Sequence, residues 1–156
     1  MIIKKVIWSI SLLFFINISY GQQKHIFYDA DSIPIGIFYI SNEKVDSTIY
    51  WDLEKNKFNV QFTGECRYKY GFDSLKSLII KQFRQMVNYE EINDVALVYV
   101  LMDKGKITEI RIGKRINNNS KYDSIIKEIL TNTQKDWILP DKIEKPLLLP
   151  YLFKVR

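Results

Sequence analysis

The sequence predicts an α+β protein in which two helices pack on a small antiparallel sheet, preceded by a β-hairpin-rich N-terminal segment. Two segments, one after residue 72 and one after residue 121, have apolar residues at helical spacing. Apolar runs of strand length, separated by turn residues, lie before, between and after them. The order after residue 70 is therefore helix, strand, strand, helix, strand, which places both helices on one face of the sheet.

Residues 1–21 have the features of a signal peptide. Lys4 and Lys5 precede an apolar stretch at residues 6–18, and Ser19 and Gly21 supply small residues for cleavage. The apolar stretch is shorter than the roughly 20 residues that span a bilayer, which favours a cleaved leader over a retained anchor. We therefore expect a mature chain from Gln22 that is periplasmic or secreted and does not insert into the membrane.

The composition is that of one packed domain. The chain of 156 residues carries a net charge of +5, to which the leader contributes Lys4 and Lys5, and 14% of its residues are aromatic. This mild charge predicts no nucleic-acid partner. Cys66 is the only cysteine, so an internal disulfide is excluded. We expect Cys66 to be a buried small hydrophobe, with a reactive thiol as the alternative.

Residues 22–70 are predicted to be rich in strands. An apolar run at residues 35–40 follows Pro34, and two further strands at residues 49–53 and 58–62 flank a polar turn. In the second of these two strands, apolar and polar residues alternate, which indicates a half-buried hairpin. The adjacent Tyr50 and Trp51 must face opposite sides of their strand.

The first helix is expected to begin near Asp73, with Asp73 or Ser74 as its cap. Its apolar residues are Leu75, Leu78, Ile79, Phe83, Met86 and Val87. Strands at residues 96–101 and 107–112 are joined by a tight turn at Gly105, with Ile110 and Ile112 on a buried face and Glu109 and Arg111 opposite. The second helix has the apolar set Tyr122, Ile125, Ile126, Ile129 and Leu130.

The chain ends in a strand at residues 147–155. Leu149, Tyr151, Phe153 and Val155 share one face of it, and Pro150 cannot donate to a ladder, which predicts an edge or bulged strand. Trp137 precedes this strand and is expected to fill the core.

Residues 71–155 resemble the C-terminal domain of the energy transducer TonB. The resemblance is carried by Gly71-Phe72-Asp73-Ser74-Leu75-Lys76, by Val98-Tyr99-Val100-Leu101-Met102-Asp103-Lys104-Gly105-Lys106-Ile107, by Tyr122-Asp123-Ser124-Ile125, by Trp137-Ile138-Leu139-Pro140, and by Lys145-Pro146 with Leu149-Pro150-Tyr151-Leu152-Phe153. On this basis residues 71–156 are expected to form a TonB C-terminal-like domain. Three features depart from the family: Tyr89 is followed by Glu90 instead of proline, a short leader stands where the family has an anchor and a Pro-rich spacer, and residues 24–70 have no recognised counterpart.

The resemblance implies a non-enzymatic protein-binding module of the cell envelope that acts in transmembrane transport. It would bind an extended segment of a protein partner, such as an outer-membrane receptor, as an added strand of its sheet. The expected binding residues are Tyr89, Leu149, Tyr151 and Phe153. No cofactor is expected, and a homodimer is left open.

The residues themselves show little sign of catalysis. His25 is the only histidine and lies near the expected mature terminus, so no zinc site can form with Cys66 alone. The carboxylate clusters at residues 29–31 and 90–94 are expected to be solvated loops or helix ends rather than catalytic or calcium-binding groups. Two alternatives to the binding module remain: an accessory or structural subunit of an envelope complex, and an exported hydrolase.

Overall fold

The structure is a computed structural model that describes residues 22–62, 66–87, 92–140 and 143–155. It confirms the α+β class. The predicted leader, Tyr89, Glu90 and Glu91 lie outside the described residues. In chain order the elements are β1 (Gln23–Tyr28), β2 (Pro34–Ser41), β3 (Lys44–Trp51), β4 (Lys57–Phe62), β5 (Arg67–Tyr68), α1 (Phe72–Met86), β6 (Asp94–Asp103), β7 (Lys106–Lys114), α2 (Lys121–Asn132), β8 (Trp137–Ile138) and β9 (Leu147–Val155).

Seven strands form one sheet in the order β1-β2-β3-β4-β9-β6-β7. All neighbours are antiparallel except β4 and β9, which run parallel. The strands of the N-terminal segment therefore continue the same sheet as the strands that follow residue 70, and the sheet is larger than predicted. A separate two-stranded ladder joins β5 to β8.

Both helices pack on one face of this sheet, as the apolar spacing predicts. Leu75, Ile79 and Phe83 of α1 are buried, and the rings of Phe83 and Tyr122 meet at 5.4 Å between the two helices. Neither Asp73 nor Ser74 caps α1, so that prediction is wrong. The cap position is Gly71, whose φ of 84° belongs to the left-handed region that glycine tolerates, and Asp73 instead lies in the first turn of the helix.

The hairpin of β6 and β7 forms as predicted. Lys104 and Gly105 both have positive φ, which matches the right-handed twist of a two-residue hairpin. Trp137 is buried as expected, and its indole N–H donates to the Thr133 hydroxyl at 3.1 Å. Cys66 is also buried, and burial raises the pKa of its thiol to about 11, which confirms the small-hydrophobe interpretation.

Two helices on one face of a small sheet would leave its second face free, but that second face is covered. Strands β1 to β4 curl over it and enclose a second core, whose buried members are Phe27, Ile35, Tyr50, Val60, Tyr99, Leu101 and Leu148. Phe27 stacks on Phe38 at 4.3 Å and lies 5.2 Å from Tyr99, so the rings of the two halves of the sheet meet directly. Tyr50 is fully buried and Trp51 half-buried, in agreement with their opposite directions.

A set of polar contacts, here called the seam, joins the turn after β1 to β7, so that the two outer strands of the sheet come together. The turn after β1 packs on the end of β7, where the Ala30 N–H donates to the Ile112 carbonyl at 2.7 Å. Arg111 pairs with Asp29 at 2.7 Å, and Arg115 pairs with Asp31 at 2.7 Å. The expectations that Asp29 lies in a solvated loop and that Arg111 lies on an exposed face are therefore wrong, because each side chain neutralises the other as the curled sheet closes.

Asp94 stands at the beginning of β6, so the prediction of a solvated loop or helix end is also wrong for this residue. Its carboxylate accepts the backbone N–H of Val95 at 2.7 Å, the ammonium of Lys114 at 3.0 Å and the backbone N–H of Asn117 at 2.7 Å. These bonds, in that order of importance, lower the pKa of Asp94 from 3.8 to about 2.

Asp94 should make the fold sensitive to acid. Its pKa is lower in the folded than in the unfolded chain, so its contribution is complete above about pH 4 and is lost as the pH falls toward 2. We expect the unfolding temperature of the native protein to fall over this range and that of Asp94→Asn to fall less. Thermal unfolding followed by circular dichroism measures this. Asp73→Asn, on the exposed first turn of α1, is the control and should follow the native protein; equal slopes for all three would refute the role of Asp94.

Gly36 is the point of closest approach in the second core. A Cβ at this position would overlap the ring of Phe27 and the backbone carbonyl of Ile49, and that carbonyl belongs to the strand paired with β2. We expect Gly36→Ala to lower the free energy of unfolding by about 2 kcal/mol, the usual cost of overpacking. Urea unfolding measures it, with the exposed Lys44→Ala as control, and an unchanged stability would show that the second core is loosely packed.

Candidate functional site

The last strand, β9, has two neighbours at its start and one afterwards. It pairs with β6 along its whole length, from Leu147 opposite Met102 to Val155 opposite Asp94. It pairs with β4 only at Leu147 and Leu148. The prediction of an edge strand is thus wrong for the first two residues and holds for the later part of β9 within the described chain.

The side of β9 that faces away from β6 can be identified from one hydrogen bond. The Pro146 carbonyl accepts the backbone N–H of Gln61 at 2.8 Å, so Pro146 directs its backbone toward β4. Because backbone groups alternate sides along a strand, Pro150, Leu152 and Lys154 direct theirs the same way. Pro150 lies opposite Tyr99 with no N–H to offer, which agrees with this assignment.

Cys66, where the described chain resumes after β4, lies near Tyr151 in the middle of β9. Cys66 is a buried member of the first core and the half-buried Tyr151 packs against that core, and the pKa of the Tyr151 phenol is raised first by burial and then by the neighbouring thiol. The part of β9 beyond this point, residues 152–155, has no second strand among the described residues. We call its outer side the open edge. It presents the N–H and C=O groups of Leu152 and Lys154.

A line of touching aromatic rings borders the open edge on the helix side of the sheet; we call it the aromatic row, and it consists of Tyr70, Tyr68, Trp137, Tyr151 and Phe72. Consecutive ring centroids are 5.7, 5.7, 5.5 and 6.1 Å apart. The β5–β8 ladder holds it, because Tyr68 pairs with Trp137 across that ladder. Among the inner rings Tyr68 and Trp137 are buried and Tyr151 is half-buried, whereas Phe72 and Tyr70 at the two ends are 44% and 59% exposed.

The opposite side of the open edge is also partly apolar. Leu152 is 64% exposed and lies opposite the half-buried Leu97 of β6. Lys154, two residues on, is exposed and carries a positive charge beside the last pairs of the strand. A strand added here would therefore meet backbone groups at its side, an aromatic surface on one face and a leucine pair on the other.

The four predicted binding residues differ in their burial and in whether the structure describes them. Tyr89 lies outside the described residues. Leu149 and Phe153 are buried, at 4% and 3% exposure, and direct both side chain and backbone away from the open edge. They therefore support β9 from within the core and are not available to a partner. Tyr151 is half-buried and reaches the site through the aromatic row. The sequence analysis did not identify four residues that border the open edge in the structure: Leu152, Lys154, Phe72 and Tyr70.

A second group of chemically interesting side chains lies inside the curled sheet. The Arg111 guanidinium contacts both Asp29, at 2.7 Å, and Glu109, at 3.3 Å, and all three side chains are about nine-tenths buried. Burial and the adjacent Glu109 raise the pKa of Tyr50. Both acids are thus held by one cation as an ion cluster that closes the seam. Within the described chain, no group of three His, Cys, Asp or Glu side chains could hold a metal ion.

Asp31 and Asp123 share the second cation of the seam. Arg115 donates to Asp31 through two nitrogens, at 2.8 and 2.7 Å, and to Asp123 at 2.8 Å. The bond from Arg115 lowers the pKa of Asp31. Because the guanidinium groups occupy the carboxylates of Asp29 and Asp31, calcium binding at this turn would require breaking both ion pairs.

Comparison with models of protein families, with curated proteins and with solved structures gave no match. Among the described helices, none combines the length and apolar character needed to cross a membrane.

The open edge has a direct signature in amide hydrogen exchange. The N–H groups of Tyr151 and Phe153 face β6 and should be protected, whereas those of Leu152 and Lys154 should exchange at least about a hundredfold faster. Exchange monitored by NMR on the protein from Gln22 onward gives each rate. Equal protection of all four amides would show that another segment of the chain covers the edge.

Proposed function

We propose that the protein is an exported, non-enzymatic binding module that takes up an extended segment of an envelope protein as an added strand beside residues 152–155 of β9. The observation that carries the proposal is the run of backbone groups at Leu152 and Lys154 that have no strand partner among the described residues, next to an exposed aromatic surface. Strand addition needs such an edge and few special side chains. The resemblance of residues 71–155 to the TonB C-terminal domain points to the same mode and to an outer-membrane receptor segment as the partner.

Backbone bonds alone would make this binding weak. Leu152 and Lys154 offer four groups, and each net hydrogen bond contributes about 1 kcal/mol, so their sum corresponds to a millimolar dissociation constant. Covering roughly 100 Å² of apolar surface on Phe72 and Leu152 would add about 2.5 kcal/mol. Selectivity should therefore come from apolar side chains at alternate positions of the partner segment, which reach the aromatic row and the leucine pair.

One observation favours the accessory subunit as a second candidate. Ile26 and Tyr28 of β1 and Ile33, directly before β2, are each about half exposed. These apolar side chains near the other end of the sheet would suit a permanent envelope partner better than a short segment. For a hydrolase the structure offers less support, since the buried acids Asp29 and Glu109 are both bound by Arg111.

A proline substitution tests strand addition at single-residue resolution. Leu152→Pro removes an N–H from the open edge without removing a bond to β6, whereas proline at Tyr151 would break the ladder and the fold. We expect Leu152→Pro to fold and to bind short peptides from outer-membrane receptors of the same cell about tenfold more weakly than the native protein. Isothermal titration calorimetry measures the affinities.

Leu152→Ala is the matched control, because it keeps the N–H and removes most of the side chain. It should lose less affinity than the proline variant if backbone pairing dominates. Saturable binding that survives Leu152→Pro would contradict strand addition at this edge. A folded protein that binds none of these peptides would favour the accessory subunit.

A further inference from the structure

Strands β1 to β4 have a surface turned away from the second core, which we call the outer face. Phe27, Tyr50 and Val60 of these strands point into the second core. Because side chains alternate along a strand, the residues next to them in sequence point outward. By this alternation and the strand register, the apolar residues of the outer face are Ile26, Tyr28, Ile37, Tyr39, Ile49 and Trp51.

Three isoleucines form a row across the outer face. Ile37 of β2 pairs with Ile26 of β1 on one side and with Ile49 of β3 on the other. Ile37 is only 7% exposed although it belongs to neither core, so its neighbours on the outer face cover it. Ile26 and Tyr28 are 45% and 47% exposed. A packed apolar cluster on the outside of a sheet is typical of a surface that meets another molecule.

Two lysines flank this cluster. Lys24 of β1 pairs with Tyr39 of β2, and Lys57 of β4 pairs with Trp51 of β3, so the two cations lie on opposite sides of the isoleucine row. Both lysines are exposed. Neither of them forms a salt bridge within the described part of the chain.

The carboxylates of β1 to β4 lie elsewhere. Asp29 and Asp31 are paired in the seam. The others lie in the turns at the strand ends or, like Asp46, in a bulge where β3 has one residue more than β2. Asp46 and Glu144 line a cleft beside β4, together with Lys145. The outer face near β1 is therefore apolar at its centre and positive at its rim, which complements a negatively charged surface.

The small area of the cluster indicates the kind of partner. Stable protein interfaces cover about 800 Å² on each partner. A fully exposed aromatic side chain offers roughly 150–250 Å², so the half-exposed and half-buried members of this cluster together offer roughly 300 Å². A lipid surface needs less, because a few apolar side chains are supplemented by the attraction of lysines to anionic headgroups. Trp, Tyr and Lys also suit this boundary, since each has an apolar body and a polar end.

We propose that the outer face binds the surface of a bilayer that contains anionic lipids. Ile26 and Tyr28 enter the boundary between headgroups and acyl chains, and Lys24 and Lys57 contact the lipid phosphates. The contact is peripheral and reversible, because it combines only two lysines with a few partly exposed side chains. It does not depend on the proposed function, since the open edge belongs to β9 and either surface can act without the other.

Trp51 makes this contact measurable. In the protein from Gln22 onward the tryptophans are Trp51, on the outer face, and the buried Trp137. We expect phosphatidylcholine vesicles with about 30% phosphatidylglycerol to shift the tryptophan emission saturably to shorter wavelengths, and pure phosphatidylcholine vesicles to bind at least about tenfold more weakly. Trp51→Phe should still co-sediment with the anionic vesicles but should lose the shift.

Single substitutions locate the contact. Lys24→Gln and Lys57→Gln should each weaken vesicle binding about fivefold. Ile26→Ser should weaken it at least about fivefold, because the side chain no longer enters the apolar boundary. Lys81→Gln is the matched control, since it removes the same charge from the exposed side of α1, on the opposite side of the molecule. Lys81→Gln and Leu152→Pro should both bind like the native protein.

Three outcomes would overturn the proposal. The first is that variants and native protein, all folded by circular dichroism, show no saturable shift and no co-sedimentation with anionic vesicles. The second is an equal loss for Lys24→Gln and Lys81→Gln, which would mean that binding follows net charge and not the outer face. The third is a dimer in sedimentation equilibrium that Ile26→Ser disrupts, without vesicle binding, which would assign the outer face to a second copy of the chain.

Discussion

The rest of the structure depends on the pairing of the last strand. Among the described strands, β9 alone joins the N-terminal hairpins to the β6–β7 hairpin, through nine pairs with β6 and two with β4. It also contributes to both cores, since Leu148 lies in the second core and Leu147, Leu149 and Phe153 lie in the first. Because these contacts join residues far apart in the sequence, the chain must close long loops before either core is complete.

The seam is the second connection, after β9, that holds the N-terminal strands against the rest of the sheet. With β9 alone, the four N-terminal strands would be attached along one short parallel ladder, and Phe27 and Tyr50 would face an open groove. Arg111 closes the groove by pairing with Asp29, 82 residues away, while Glu109 on its own strand also binds the guanidinium. Such a buried cluster contributes little net stability, but losing one member leaves a buried charge without a partner, so it disfavours any other closure of the sheet.

Local sequence patterns were sufficient to predict the helices and the hairpin that have a clear apolar period or turn residue. They were insufficient to predict which strands pair across long sequence distances. The apolar spacing of Leu75, Ile79 and Phe83 identifies α1, and Gly105 identifies its hairpin. β1 was missed because Gln23, Lys24 and His25 are polar and only Phe27 is buried. Nothing local indicates that β1 to β4 cover the second face, or that Asp29 meets Arg111. At the candidate site, the alternation of side chains along β9 places Leu149, Tyr151 and Phe153 on one buried face. The residues whose backbone groups face the open edge are those that alternate with them in the sequence. Pro150 was the available signal, because its missing N–H must face away from β6 and Leu152 lies on the same side.

An exposed strand edge is a risk for aggregation. The residues of the open edge distinguish an edge that is only protected from unwanted pairing from one that also accepts a partner strand. Pro150 and Lys154 are residues that proteins place at edges to prevent unwanted pairing, since one lacks a donor and the other carries a hydrated charge. Leu152, between them, has neither property and is 64% exposed. An edge that had only to be protected would have a polar residue there. Pro150 and Lys154 therefore both restrict strand pairing, whereas Leu152 between them permits it. An added strand can pair only over this short stretch, and it must tolerate Pro150 at one end and Lys154 at the other. The same residues that protect the edge would therefore define which segment it accepts.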